Sequence, residues 1–599
     1  MKILRRTEEL AASLALAAMV ILPLLEIPLR KLGTGIPGGI SIVRHLMLWV
    51  AFLGAALAAR EGRLLSLATG RLLPEGKLRS GGRLFAAAVA AAVSALFFRA
   101  GIDLVLEERA AGTMITQSLP VWVAQVVLPL SFLLIAGRLI WRAGESWKGR
   151  AIAAIGAAVG LVVAQFPGLL EARPAWPGLL MILAGTVLGG PIFAALGGIA
   201  ALLFMADGVP PVAVLIETYS LASDPVLAAI PLFTLVGFFL AEGRASSRLL
   251  GFFQAFFGWI RGGTAVVCAL LCAFFTVFTG GSGVTILAMG GLLYQVLRED
   301  RYRDRFSLGL LTASGSLGLL LPPALPLILY GIVARVSIED LFIGGILPGI
   351  VLVTLVAAWG VREGIVGQVE RTPFNRREAG RALWEAKWEL LLPLIVLYVY
   401  LGGLATLVEA AALAALYAFV IQCFVHRDLS LGRDLARVFR ECLVLIGGVL
   451  LILGMAMGFS SYMVDAMVPA RGLEWVQAHI ESRLVFLLCL NLFLLAVGAV
   501  MDIFSATVVV VPLIVPLGLA FGIDPIHLGI IFIANLELGY LTPPVGLNLF
   551  FASYRFERPL LEIYRAAVPF LIILGFGVLL ITYVPLLTTG LLAILGRTG

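Results

Sequence analysis

Gly318-Leu-Leu-Leu-Pro322-Pro323 and Gly539-Tyr-Leu-Thr-Pro543-Pro544 are one hexapeptide pattern written twice, 221 positions apart (318 to 539). A pair of prolines removes two backbone donors and breaks a helix, so its recurrence in apolar surroundings marks an internal repeat. Upstream of each pair, a polar interruption cuts an apolar stretch. In the first half it is Thr279-Gly280-Gly281-Ser282-Gly283-Val284-Thr285, and in the second it is Asp502 with Ser505 and Thr507. Ser282 precedes Pro322 by 40 residues and Asp502 precedes Pro543 by 41. Each half therefore reads as a re-entrant hairpin with a polar tip, followed by a helix broken at Pro-Pro, with Ser282 and Asp502 in equivalent places.

The surroundings of the repeat are built for lipid. The 599 residues are 61% hydrophobic and 13% charged, with a mean hydropathy of +1.05, where soluble domains carry about 25% charged residues. Apolar runs at 10–29, 84–105, 121–140, 338–359, 391–417, 444–459 and 568–587 mostly approach the roughly 20 residues of a membrane span. The longest polar stretch, 362–388, reads as an exposed loop, which leaves no aqueous domain in which an enzyme could work. The net charge of +7 does not indicate nucleic acid, because the cations alternate with apolar spans instead of forming one stripe. Basic clusters at 2–6, 60–83, 138–150, 298–305, 362–387, 427–440 and 555–565 belong in the cytoplasm by the positive-inside rule. Lys2, Arg5 and Arg6 then head a retained anchor with the amino terminus inside. Cys268, Cys272, Cys423, Cys442 and Cys489 read as small core residues with no metal pattern. His45, His426, His479 and His527 are scattered, which removes the ligands of a metal-dependent membrane enzyme. No G-x-x-x-x-G-K-[ST] loop is present for a nucleotide.

These features predict an all-α polytopic membrane protein of about 15–16 transmembrane helices plus two re-entrant hairpins. Residues 1–150 form a four-span bundle. Residues 151–173 are an adaptor helix (151–166) and linker that carries the chain across the bilayer. Residues 174–599 are the larger part, with repeats at about 174–360 and 388–590. Arg261 and the 298–305 cluster bracket the first hairpin and place its entry on the cytoplasmic side; the second enters from outside, so the repeat is inverted. Residues 176–205 must then cross twice, with a break near Gly189-Gly190-Pro191. An unpaired backbone group in lipid costs several kcal/mol, so broken helices persist only beside a cavity or an ion. The carbonyls freed at these breaks suit a hard cation such as sodium, and paired inverted repeats with interrupted helices point to a transport site at the midplane.

Each candidate residue carries two readings. Asp502 would cost roughly 2.5–3.5 kcal/mol at a helix centre on insertion scales; it is either a functional acid or one member of a buried structural pair. Ser282, Gly283 and Thr285 either bind an ion or serve close helix packing. Thr542, beside Pro543 and Pro544, is either a ligand or part of a kink. Glu537 either binds the cation or lies at a helix boundary or pairs within the fold. Asn535 and Asn548 either bind substrate or make tertiary hydrogen bonds. Arg335 either attracts an anionic substrate or snorkels to the interface. The aromatic stripe of 240–261 is either an interfacial arm or a core helix, and Thr406-x-x-Glu409 has the form of a helix-start device.

The chain resembles a tripartite ATP-independent periplasmic (TRAP) transporter whose small and large membrane subunits are fused, a QM-type permease. The resemblance rests on Ala229-Ile-Pro-Leu-Phe-Thr-Leu-Val-Gly237, Thr312-Ala-Ser-Gly-Ser-Leu-Gly-Leu-Leu-Leu-Pro-Pro323, Tyr330-Gly331, Ser337-Ile338, Leu341-Phe342 and Gly345-Ile-Leu-Pro-Gly349. Met501-Asp502, Gly522-Ile-Asp-Pro525, Asn535-Leu-Glu-Leu-Gly-Tyr-Leu-Thr-Pro-Pro-Val-Gly546 and Asn548 continue it in the second half. Trp49, Gly54, Arg60, Pro120, Trp122 and Pro129 resemble the small subunit. Two positions depart from the family pattern: the tip Gly280-Gly281-Ser282-Gly283 keeps one serine of a Ser-Gly-Ser run, and Arg63 stands where histidine is frequent. The resemblance implies an elevator-type secondary transporter in the bacterial or archaeal cytoplasmic membrane, with no cofactor beyond coupling sodium ions. The sodium-binding set expected is Ser282, Gly283, Thr285, Gly315, Asp502, Gly539 and Thr542; the substrate-binding set is Ser282, Thr507, Asn535, Asn548 and Arg335. The cargo implied is a small organic acid, such as a C4-dicarboxylate, a sialic acid or another sugar acid, delivered by a periplasmic substrate-binding protein. The runner-up is a stand-alone sodium- or proton-coupled anion carrier of related fold.

Overall fold

The repeat written in the two hexapeptides extends through the surrounding helices. A computed structural model describes residues 2–66, 76–144, 146–169, 171, 173–369 and 373–597. In the first half, Gly263–Thr279 and Ser282–Glu299 form the hairpin, Asp304–Ser314 and Leu325–Ala334 flank the Pro322-Pro323 break, and Ile338–Val366 follows. The second half repeats the order with Arg483–Val500, Ile503–Ala520, Pro525–Gly539, Leu547–Phe556 and Leu560–Tyr583. A shift of 221 positions lays the second hairpin legs on each other end to end, 282 on 503 and 299 on 520.

That register corrects the pairing of the tips. Gly281 and Asp502 are the residues that precede the two second legs, and they, not Ser282 and Asp502, are 221 positions apart. Helix entry is set by the backbone at the N-cap, whereas polarity alone pairs the Ser282 and Asp502 side chains.

The halves pack reciprocally. Leu325–Ala334 lies on Ile503–Ala520, and Leu547–Phe556 lies on Ser282–Glu299, so each post-proline helix covers the other half's hairpin. Within each half, the first hairpin leg packs on the helix leading to the prolines. At Gly539 the approach is backbone on backbone: a β-carbon there would stand 2.6 Å from the Cα of Gly498. Small residues allow such contacts between helices that have no hydrophobic drive to associate in lipid.

By packing, the described residues form two units: Met1–Leu232 with Phe439–Arg471, and Phe233–Val438 with Gly472–Gly599. In the first, Lys2–Lys31, Gly39–Glu61, Lys77–Ala111 and Val127–Arg142 pack together, and Trp147–Gln165 runs along Lys77–Ala111. Glu8 is buried and accepts from the Arg138 guanidinium at 2.8 Å, an ion pair that ties Lys2–Lys31 to Val127–Arg142. Arg63 donates to Glu441 at 2.5 Å, which gives this departure from the family pattern a partner of its own. Trp176–Val187 and Ile192–Ala206 are separated by the expected break at 189–191. The only strands among the described residues are the short pair Met114–Thr116 and Leu119–Pro120. The second unit holds the repeats together with Ala245–Phe257 and the helix Ala229–Glu242 from Phe233 onward; these two helices meet at 75°.

Eleven helices among the described residues are long and apolar enough to cross a membrane, or twelve if the bent pair is one span, and six shorter apolar helices accompany them. Three local readings change. The polar stretch 362–388 is mostly helix, because Ile338–Val366 runs into it and Arg376–Leu401 begins within it. Glu389 explains the second: it is buried and accepts from Arg248 at 2.8 Å, which fixes the charged end of that helix against Ala245–Phe257. The apolar run 391–417 is not one helix; it stops at Gly402 and restarts at Leu407 behind a capping box, in which Glu409 Oε2 accepts from Thr406 N at 2.8 Å. Cys489 is exposed and not a core residue, since it faces outward from Arg483–Val500. Residues 67–75 of the basic cluster 60–83, and 370–372 of the polar stretch, lie outside the described residues.

Candidate functional site

The tip of the first hairpin gathers oxygen atoms. Gly280 ends the first leg with φ 61°, a left-handed conformation that glycine adopts without steric cost. Thr276, one turn earlier, presents its hydroxyl to the carbonyls of Cys272 and Gly315 at 2.8 and 2.9 Å, and lies 2.9 Å from the Thr285 hydroxyl. Thr279 Oγ1 is 3.2 Å from the same Thr285 oxygen. A β-carbon on Gly315 would stand 3.3 Å from the Ser282 carbonyl oxygen, so the hairpin tip and the first broken helix meet there through their backbones. The structure thus brings Ser282, Thr285 and Gly315 together and adds Thr279, which the sequence places in the polar tip but not among the ligands, and Thr276, which sequence reasoning passed over. Two threonines three residues apart on an otherwise apolar leg were the available signal. Gly283 has a packing role on view: a β-carbon there would stand 2.3 Å from the Phe551 ring.

The second tip is organised by Asp502. Its Oδ1 accepts from Phe504 N and Ser505 N at 3.0 Å each, and its Oδ2 accepts from the Ser505 hydroxyl at 2.5 Å. These bonds cap Ile503–Ala520 and also hold the carboxylate in one orientation. Two carboxylate oxygens offer about four lone-pair sites, so the cap leaves capacity for a cation. The tip is fastened to the second broken helix by Ile503 N, which donates to the Tyr540 phenol at 2.6 Å, and by Gly546 N, which donates to Ala499 O at 3.0 Å. Tyr540 is the residue here that the sequence reading missed. Thr542 lies in the same turn, with its hydroxyl donating to Leu538 O at 3.2 Å.

The remaining candidates do not converge on one point. Thr507 is buried and bonds within its own helix, to Ile503 O at 2.6 Å. Asn535 joins a separate polar group, donating to Asn491 Oδ1 at 2.6 Å, where the Thr582 hydroxyl also arrives at 3.1 Å. Asn548 reaches the first half, donating to Thr312 O at 3.1 Å and to Ser316 Oγ at 3.3 Å. Arg335 is exposed and closes Leu325–Ala334 in a left-handed conformation, φ 56°. Glu537 lies in the last turn of Pro525–Gly539, buried. Among the described residues no group of three or more His, Cys, Asp and Glu side chains is placed to hold a metal ion. The two tips instead offer hydroxyls, carbonyls and one carboxylate, a hard-oxygen environment.

Two family models match the chain. Residues 19–149 match the tripartite ATP-independent periplasmic transporters, DctQ component, and residues 179–587 match the tripartite ATP-independent periplasmic transporter, DctM component. The isethionate TRAP transporter permease protein DctMQ of Oleidesulfovibrio alaskensis is 34% identical over 78% of this chain and 74% of its own. The C4-dicarboxylate TRAP transporter large permease protein DctM of Pseudomonas aeruginosa is 34% identical over 66% of this chain and 92% of its own. Among solved structures, the Alcanivorax borkumensis YdaH transporter aligns with a TM-score of 0.44 at 16% identity, covering 59% of this chain and 84% of that one. The chain therefore belongs to the tripartite ATP-independent periplasmic transporter family, as a multi-pass inner-membrane permease that carries the DctQ and DctM components in one polypeptide.

Proposed function

We propose that the chain is a sodium symporter that imports a small organic acid handed to it by a periplasmic substrate-binding protein. The observation that supports this most directly is the pair of oxygen-lined junctions, one per repeat, where a hairpin tip meets a broken helix. In the first, sodium is held by Ser282, Gly283, Thr285 and Gly315, with the Thr276 and Thr279 hydroxyls alongside. In the second, it is held by Asp502, Gly539 and Thr542, in the turn that Tyr540 fastens to the tip. Substrate contacts fall to Ser282 and Asn548, the two polar members of the candidate set that meet the first broken helix; Thr507, Asn535 and Arg335 take part only if transport rearranges them. The relatives named for isethionate and C4-dicarboxylate, both small organic anions, support an organic-acid cargo. The hairpins and broken helices move as one body in an elevator cycle, residues 1–150 act as the small-subunit domain, and 151–173 form the adaptor to the transport domain at 174–599.

The test is uptake into proteoliposomes with purified binding protein and no ATP. Import is expected to require an inward sodium gradient. Uptake that persists when potassium replaces sodium and a proton gradient is supplied would remove the sodium assignment, and uptake indifferent to the binding protein would favour a stand-alone anion carrier.

A further inference from the structure

The group that the two junctions leave unexplained is Glu537. It is 1% exposed, neither carboxylate oxygen has a hydrogen-bond partner, and it forms no ion pair among the described residues. Ser316 lies beside this carboxylate, and its hydroxyl donates to Ala313 O at 3.4 Å. The Ser316 hydroxyl also receives the Asn548 amide at 3.3 Å, while Asn548 Oδ1, on a residue with no exposure, is again without a partner. Three acceptor oxygens without a hydrogen-bond partner, two on Glu537 and one on Asn548, are therefore carried by the two side chains that meet Ser316 in the interior of an apolar protein.

Ser316 and Glu537 are also 221 positions apart, two residues before Gly318 and Gly539 respectively, so they are the same position in the two repeats. Equivalent positions can touch only where the approximate two-fold axis relating the halves passes between them. The cluster thus lies on that axis, between the two hairpin junctions.

A lone buried carboxylate with no hydrogen-bond partner and no ion pair is costly, because removing a charge from water is compensated only by an opposite charge or by donors. We propose that Glu537, Ser316 and Asn548 bind a third monovalent alkali cation, sodium under the coupling proposed above, on which this inference rests. Carboxylate, amide and hydroxyl oxygens are ligands for hard cations. A single carboxylate neutralises a monovalent ion, whereas a divalent ion would leave a net charge buried in a low-dielectric interior.

The experiment is saturation binding of radioactive sodium to the purified full-length chain in detergent, counted per chain. Asp502→Asn, Glu537→Gln and Ser316→Ala variants are measured beside the unaltered protein, each checked for monodispersity. Glu537→Gln keeps the shape of the side chain and is expected to bind one sodium ion fewer than the unaltered chain while retaining the others. Ser316→Ala removes one ligand and is expected to weaken one class of sites about tenfold without lowering the count. An unchanged count in folded Glu537→Gln overturns the inference, and so does an unchanged isotherm in Ser316→Ala should the glutamine variant not fold. If the unaltered chain binds no sodium at all, the coupling reading falls and this inference falls with it. If it binds sodium that Asp502→Asn reduces and Glu537→Gln does not, only the present inference fails.

Discussion

The Thr276 hydroxyl lies 2.9 Å from the carbonyl oxygen of Gly315, and this contact joins the first hairpin leg to the helix that runs toward Pro322-Pro323. The same hydroxyl also meets Thr285, so one side chain connects three segments of the first junction.

Replacing Thr276 by valine keeps the shape and deletes that connection. The Gly315 carbonyl would lose this buried partner, a penalty of about 1–3 kcal/mol for a group left unsatisfied, while the Thr285 hydroxyl would keep only Thr279. The expected result is a right-shifted sodium dependence of uptake, by about tenfold or more, with the chain still inserted. Uptake measured against sodium concentration decides it; an unshifted curve in a folded variant would show that the threonine serves packing alone.

Asp502 combines a cap and a charge, and two substitutions separate them. Asparagine is as good an N-cap as aspartate, so Asp502→Asn should melt close to the unaltered protein while losing most of its sodium dependence. Alanine removes the cap as well and should cost a further 0.5–2 kcal/mol or so of stability. Thermal melts in detergent, run beside the uptake assay, test both halves of the statement. Asp502→Asn with full sodium dependence would leave Asp502 as a helix cap only.

In the first unit, a β-carbon on Gly447 would stand 2.0 Å from the carbonyl carbon of Gly54, so these residues meet through their backbones. Its neighbour Gly448 has open space around the same position. Gly447→Ala should therefore lower stability by about 1–3 kcal/mol, the ordinary cost of overpacking, and Gly448→Ala should leave it nearly unchanged. Melting temperatures of the two variants, compared with each other, provide the check. Equal melts would mean that the helices separate at this point without penalty.

How much of this protein was legible in its sequence depends on whether the chemistry is local. A proline pair breaks a helix wherever it stands, a glycine admits a left-handed turn, and Thr406-x-x-Glu409 caps a helix with its own atoms. The repeat, both hairpins, the broken helices and the membrane class were therefore readable from 318–323, 539–544 and the composition. What the tertiary structure decided involves partners far apart in the chain. The register of the tips depends on the N-cap backbone, which pairs Asp502 with Gly281 although glycine offers no side chain to match. The stretch 362–388 reads as loop because its charges are solvated, yet Arg376, Arg377, Glu378, Arg381 and Glu385 stand exposed on a helix that Arg248 fixes at the next residue beyond the stretch, buried Glu389, across 141 residues. Thr276 gains meaning from the Gly315 carbonyl, and the isolation of Glu537 is visible only once both its carboxylate oxygens are found buried without a partner. Residues 439–471 pack with the amino-terminal 232 because Gly447 fits Gly54, a match of two small surfaces that neither segment announces alone. Local backbone chemistry is written residue by residue, whereas burial and pairing are properties of whichever surfaces the folded chain brings together.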